Sequence, residues 1–482
     1  MSNDKVQPDQ ARQSSRFWRW TRRILLVLLV AILILYGGYR YRSHQIREKL
    51  EEAIVEQNRI ESKWQRKDLE AERVSIPNDE NGALVLQKLS RLLPAEWGGG
   101  YLPFVDLEPP RRLRTDQIQI LRQELKKVTE ARSLAKQLLM YERGRIPGTF
   151  FPGEFREKVP EEARSARNVA ILLEAEAQLA VEGEKIDEAL HCAHATLHAA
   201  KSIGDQPGSR SFYYRNSCDL IAMWIVERAL AQGQPGTVKD LIEIQKDLNE
   251  EIKPERLVRA WKAERAELHE MLTGFARSDE WLSMAIVLGV ELNWKRRNLP
   301  GHFHDEIRAA HAEMLPLSRE VLALLAFPSH QFRAKMKTFF HKLEQRSPMT
   351  RNLLTGASRL SQSAEFLKAR VGTARVAIAL ERYRLDHNKW PASLKELIPR
   401  YIDEIPLDPV DGKSLRYRPF EEGVVVYSIG DNEVDDSGDP GKDLVGGRPP
   451  DITFRLWDVK HRRQPPKPKP ADPFEDFDPG EL

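Results

Sequence analysis

Cysteine is scarce in this chain, and so is any excess of charge. Two cysteines, Cys192 and Cys218, stand among 482 residues, which excludes a disulfide-dense scaffold. Lys and Arg number 75 against 72 Asp and Glu, a net charge of +3. That balance gives no electrostatic footprint for nucleic acid. No Gly-x-Ser-x-Gly, Gly-x-x-x-x-Gly-Lys or His-Glu-x-x-His pattern occurs, so the commonest hydrolase and nucleotide-binding signatures are missing. Ser133-Leu-Ala-Lys136 has the spacing of a Ser-x-x-Lys nucleophile but lies within an amphipathic helical pattern, and no Lys-Thr-Gly follows it. No catalytic residue is assigned.

Long apolar runs are also rare, with one exception. Ile24 to Tyr39 contains no charge, and Ile24 to Leu35 is almost wholly aliphatic. The run is a little short for a hydrocarbon core of about 30 Å. Arg22, Arg23 and Arg40 can extend it by snorkelling, and Trp18, Trp20, Tyr36 and Tyr41 suit the headgroup layers. After the run, Gly37-Gly38-Tyr39-Arg40 offers no small-x-small cleavage site, so an uncleaved anchor is expected. The denser arginine cluster precedes the run. It predicts a cytoplasmic N-terminus, a single pass of the inner membrane and a periplasmic or other extracytoplasmic body.

The remainder, with a mean hydropathy of −0.53 over the whole chain, reads as mainly α. A polar helix is expected over 43–75, followed by apolar spacings at threes and fours around Ile118–Leu138, Val169–Val181, Ala189–Ala200, Leu220–Leu230 and Leu282–Leu292. Breaks at Gly183, Pro207-Gly208, Gly233–Pro235 and Pro300-Gly301 cut these into an antiparallel helical array. Leu172–Gly204 has the look of one tetratricopeptide-type hairpin, but no 34-residue period surrounds it, and an ordinary helical hairpin is the preferred reading. A helix after Pro348 gives way at Asn388 to three β-type runs, Leu415–Arg418, Val424–Ile429 and Ile452–Trp457. The domains are therefore expected at 1–42 (N-terminus and anchor), 43–345 (helical), 346–458 (α+β, a helix plus a three-stranded antiparallel sheet) and 459–482 (a disordered Pro-rich tail).

Three side-chain groups invite chemistry. His191, His194 and His198 fall at i, i+3 and i+7 beside Cys192. Zinc or copper would accept them, yet only Glu188 offers a nearby carboxylate, and a packing or solvated role is favoured. His302-Phe-His304-Asp305 is expected in a loop without a third ligand. Cys192 and Cys218 flank the Pro207-Gly208 turn, leaving open a disulfide or, as the blander reading, two buried thiols.

Over Ala374–Trp457 the chain resembles the globular domain of the major pseudopilin (G type) of type II secretion systems. The matching residues are Ala379-Leu-Glu-Arg-Tyr-Arg-Leu-Asp386, His387-Asn-Lys-Trp-Pro391, Leu397-Ile-Pro399, Pro406-Leu-Asp-Pro409, Tyr427-Ser-Ile-Gly430 and Asp451-Ile452. Arg22-Arg23-Ile24-Leu25 stands where a pseudopilin carries its leader-cleavage site, and the apolar run has no glutamate. Assembly into a pseudopilus as a standard subunit is thus not expected. The resemblance implies a calcium loop, here with candidates Asn432, Asp435, Asp436, Asp439 and Asp451. A solvated acidic loop is the equal alternative. The function implied is a membrane-anchored interaction or scaffold protein with unidentified protein partners, linked to type II secretion or envelope assembly. The alternative is an envelope hydrolase or ligand-binding protein with its site in the helical domain.

Overall fold

The structure, a computed structural model, describes residues 9–94, 97, 107–146, 161–275, 300–439 and 450–468. The helix expected around Leu282–Leu292 lies outside them. Among the described residues the chain forms thirteen α-helices and one small sheet, and groups into two compact units.

The first unit comprises Met1–Ser62, Leu272–Leu317 and Ser347–Thr350. Helix α1, Asp9–Ile60, runs unbroken from before the apolar segment to the end of the polar stretch, so the two form one continuous helix of ~78 Å at 1.5 Å per residue. It is long and apolar enough to cross a membrane, and Ile24 to Leu35 leave their side chains exposed. Further along, Ser43 is buried and donates to Asp305 Oδ1 (3.0 Å), which also accepts from Arg308 (3.0 Å). Asp305 belongs to a helix, Pro300–Leu324, rather than to the expected loop. The Pro-Gly pair signalled a break, but proline is well suited to a helix's first turn, where its missing N–H leaves no bond unmade.

The second unit comprises Lys63–Met271, Ser318–Arg346 and Arg351–Leu482. After a short helix α2 (Arg66–Ala71), the helices are α3 (Gly82–Leu92), α4 (Thr115–Lys127), α5 (Thr129–Lys136), α6 (Glu161–Glu182), α7 (Ile186–Ile203), α8 (Ser209–Gln232), α9 (Lys239–Glu251) and α10 (Pro254–Phe275). Pro300–Leu324 is α11, and α12 (Ser329–Leu343) and α13 (Pro348–His387) follow. Helices α6, α7 and α8 pack on one another through alanine-rich faces, with Ala170, Ala189, Ala193, Ala200 and Ala229 fully buried. Small residues let these axes approach closely, and α3 and α9 close over α7.

Strands β1 (Arg416–Phe420), β2 (Gly423–Ser428) and β3 (Ile452–Trp457) form an antiparallel meander in the order β1-β2-β3. Tyr417 pairs with Val426, and Val426 with Phe454. Asp408 is fully buried and organises the preceding turn, accepting from Ser428 Oγ (2.7 Å), Val410 N (2.9 Å) and Arg416 (2.5 Å).

No core boundary falls at 345/346. Val371, Ile378, Val424 and Phe454 belong to the same hydrophobic cluster as Val169, Leu197 and Leu248. Strand β3 lies on α8, where Glu227 accepts from the Arg455 N–H (2.9 Å) and from Arg370 (3.2 Å). The tail also departs from expectation up to residue 468. Gln464 N–H donates to the Pro110 carbonyl (2.7 Å), and Arg462 joins Arg384 in clamping the fully buried Glu381. Residues 469–482 lie outside the described segments.

Candidate functional site

Helix α7 turns His191, His194, His198 and Lys201 to one side because positions three, four and seven apart share a helical face. Helix α9 crosses that side and contributes Asp240, Asp247 and Glu251, which follow the same rule. The result is a charged seam. His191 Nδ1 lies 3.8 Å from Asp240, and His194 Nδ1 lies 3.6 Å from the same carboxylate. Asp247 Oδ2 faces two imidazoles, with His194 Nε2 and His198 Nε2 each at 3.3 Å, while Lys201 Nζ donates to Asp247 Oδ1 at 2.6 Å.

The seam forms one wall of a cavity of about 660 Å³. The segment Tyr141–Ile146 packs against α7 and adds Glu142, Arg143 and Gly144 to the lining, tied down at several points. Asn81 donates to Arg145 O (2.9 Å) and accepts from Arg145 N (2.8 Å), and His198 Nδ1 donates to Tyr141 O (2.9 Å). The approach is close enough to demand glycine: a Cβ on Gly144 would lie 2.0 Å from the Ser202 carbonyl oxygen. Beneath, Arg215 makes a bidentate pair with buried Glu251 (2.8 and 2.7 Å) and donates to Gly204 O (3.0 Å). Arg256 also pairs with Glu251 (2.6 Å), and Asp219 completes the buried group.

The electrostatics follow from this crowding. Burial alone would raise Asp247, but His194, His198 and Lys201 outweigh it and hold the carboxyl below its usual range. Burial would lower His194, yet Asp240 and Asp247 raise it to about 9. Burial also acts to raise Glu251, which Arg215 and Arg256 nonetheless bring down to about 2. Its neighbour Asp219 moves the other way, raised by burial and by the Glu251 charge.

Among the described residues, His194, His198 and Asp247 are the one group of three ligand-bearing side chains whose donor atoms all lie within 4.8 Å of one another. The acidic loop is less convergent. Asn432 donates to Asp436 (2.7 Å), Asp435 accepts from Ser437 N (3.0 Å), and Asp451 Oδ2 accepts from Gly438 N (2.7 Å). Asp451 Oδ1 is buried without a hydrogen-bond partner, and burial raises this carboxyl to about 6, with Asp435 and Asp436 adding to the effect. Asp439 keeps interactions of its own.

The disulfide is not formed. Cys192 and Cys218 are both free and buried, and burial pushes the Cys192 thiol up to about 12. Comparison of the chain with protein-family models, curated proteins and solved structures finds no match. The histidines of the seam stood out in the sequence, whereas their carboxylate partners did not. Asp240 and Asp247 sit on another helix, and a 3.6-residue period reveals only which residues share a face, not which helix opposes it.

Proposed function

We propose that this is a membrane-anchored, extracytoplasmic protein whose helical body binds a small polar ligand in the α7–α9 cavity. One observation carries the reading: the cavity has the volume of a small-molecule site, and His194, His198, Lys201, Asp247, Arg215 and Glu251 converge on it. A cluster of buried and half-buried charges of both signs is costly to assemble and adds little to stability compared with apolar packing. The arginine cluster before Ile24 supports the orientation, with the body outside the cytoplasm. The test is native mass spectrometry of the full-length protein released from its own membrane in detergent. A small-molecule adduct present on the natural chain and lost from Arg215→Met and Lys201→Met is expected. A natural chain free of any adduct, or one that keeps it in both variants, would count against the cavity.

A second reading is favoured by the C-terminal region. Helix α13 followed by the β1-β2-β3 meander is the arrangement implied by the resemblance to the G-type pseudopilin. It supports a scaffold role towards secretion or envelope-assembly proteins. In that reading calcium would sit among Asn432, Asp435, Asp436, Asp439 and Asp451, where the unpartnered Asp451 Oδ1 is available to a cation. Crosslinking in the native membrane should then capture secretion components. The melting temperature of the full chain should also rise with calcium over chelator; equal melting in both would dispose of the calcium site.

A further inference from the structure

We infer that His194 Nε2, His198 Nε2 and Asp247 Oδ2 form a zinc-binding site, with its open coordination position facing the cavity. This deepens the cavity reading by naming what its wall holds.

The argument begins with a proton. The Tyr141 carbonyl can only accept, so His198 Nδ1 carries hydrogen and donates across 2.9 Å. In the neutral ring that leaves a lone pair on Nε2, pointing at Asp247 Oδ2 3.3 Å away. Oδ2, although buried, completes no hydrogen bond. His194 Nε2 approaches the same oxygen to 3.3 Å, and a metal bound there would displace the proton that Asp240 and Asp247 favour on this ring. A cation placed between the three atoms would resolve the contact.

The dimensions suit zinc. Bonds of about 2.0–2.1 Å to nitrogen and oxygen in a tetrahedral site put neighbouring donors about 3.4 Å apart. Both nitrogen–oxygen separations are 3.3 Å, and all three donors lie within 4.8 Å of one another. Two imidazoles and one carboxylate form a borderline donor set that zinc accepts, and three protein ligands leave a position for water or ligand.

The surroundings are built as an outer shell would be. The second ring nitrogen of each histidine has an acceptor beside it: Tyr141 O for His198, and Asp240 at 3.6 Å for His194. Lys201 takes Asp247 Oδ1 and thereby turns Oδ2 towards the imidazoles. The histidine rings stand nearly perpendicular, 82° apart with centroids 4.9 Å from each other. Their edges can therefore converge without stacking. The open position faces the cavity, where water or a ligand's donor atom can complete the tetrahedron.

The test uses full-length protein in detergent, stripped with chelator and titrated with zinc by calorimetry. Cobalt serves as the visible-absorption probe of geometry. One zinc per chain is expected, with intense tetrahedral cobalt bands. His198→Gln and Asp247→Asn should each weaken binding by at least about 100-fold, since each removes a direct ligand. His341→Gln, which changes an exposed ring on α12, should bind as the natural chain does. Far-UV circular dichroism accompanies each variant, and His194→Gln replaces either one that unfolds. A natural chain that takes up neither metal, or ligand variants that bind equally well, would overturn the site. Metal uptake is read with no organic ligand present. The zinc site can thus fail while the adduct test succeeds, and the reverse.

Discussion

At the scale of single residues, burial sets the chemistry. His269 lies edge-on to the fully buried Trp64, with ring centroids 4.5 Å apart. Burial, with Arg265 adding to it, lowers His269 to about 4. The unfolded chain therefore binds this proton at a pH where the folded chain does not. Stability from this site is complete above about pH 6.5 and falls as pH drops towards 4, by at most about 3 kcal/mol. Thermal melts of the natural chain should drop between pH 7 and 5, and His269→Gln should flatten that part of the profile. An unchanged slope in the variant would place the acid sensitivity elsewhere. The seam shows how residue identity can be legible while its surroundings are not. The i, i+3, i+7 spacing announces His191, His194 and His198, but Asp240 and Asp247 come from α9, which that spacing does not reveal.

At the scale of elements, periodicity read well and docking did not. The helices at 161–182, 186–203 and 209–232 and all three strands fell where apolar spacing and turn residues placed them. What sequence did not show was which surfaces meet. The Tyr141–Ile146 segment has no periodicity, yet it fixes the His198 tautomer through one carbonyl, and Arg145 bridges to Gly204 at the end of α7. Gly144→Ala would force its Cβ into the Ser202 carbonyl. A contact of that kind must be relieved by moving backbone, and we expect at least about 2 kcal/mol of lost stability by denaturant titration. Zinc affinity should fall with it, because the Tyr141 carbonyl shifts. Normal affinity in a destabilised Gly144→Ala protein would show that the carbonyl does not position His198.

At the scale of the whole molecule, the expected domain division meets the contacts of the core. Sheet residues share a hydrophobic cluster with α6 through α9, Glu227 of α8 caps β3, and Glu381 is clamped by Arg462 from beyond the sheet. Cutting out residues 346–458 would expose the α8-facing side of β3 and leave Glu381 with one arginine fewer. Removing a partner from a buried ion pair costs about 3–5 kcal/mol, a large share of a small domain's stability. That fragment should give a collapsed amide proton NMR spectrum. Well-dispersed resonances would restore the independent α+β domain expected from sequence. The resemblance to a free-standing head concealed this dependence, since local turn and strand signals are the same whether or not a second layer covers them.

Cys192 and Cys218 remain thiols, each sealed in the helical core and far from reactive ionisation. Redox potential is thus not an input to this fold. The full chain should keep the same melting temperature with and without a reductant.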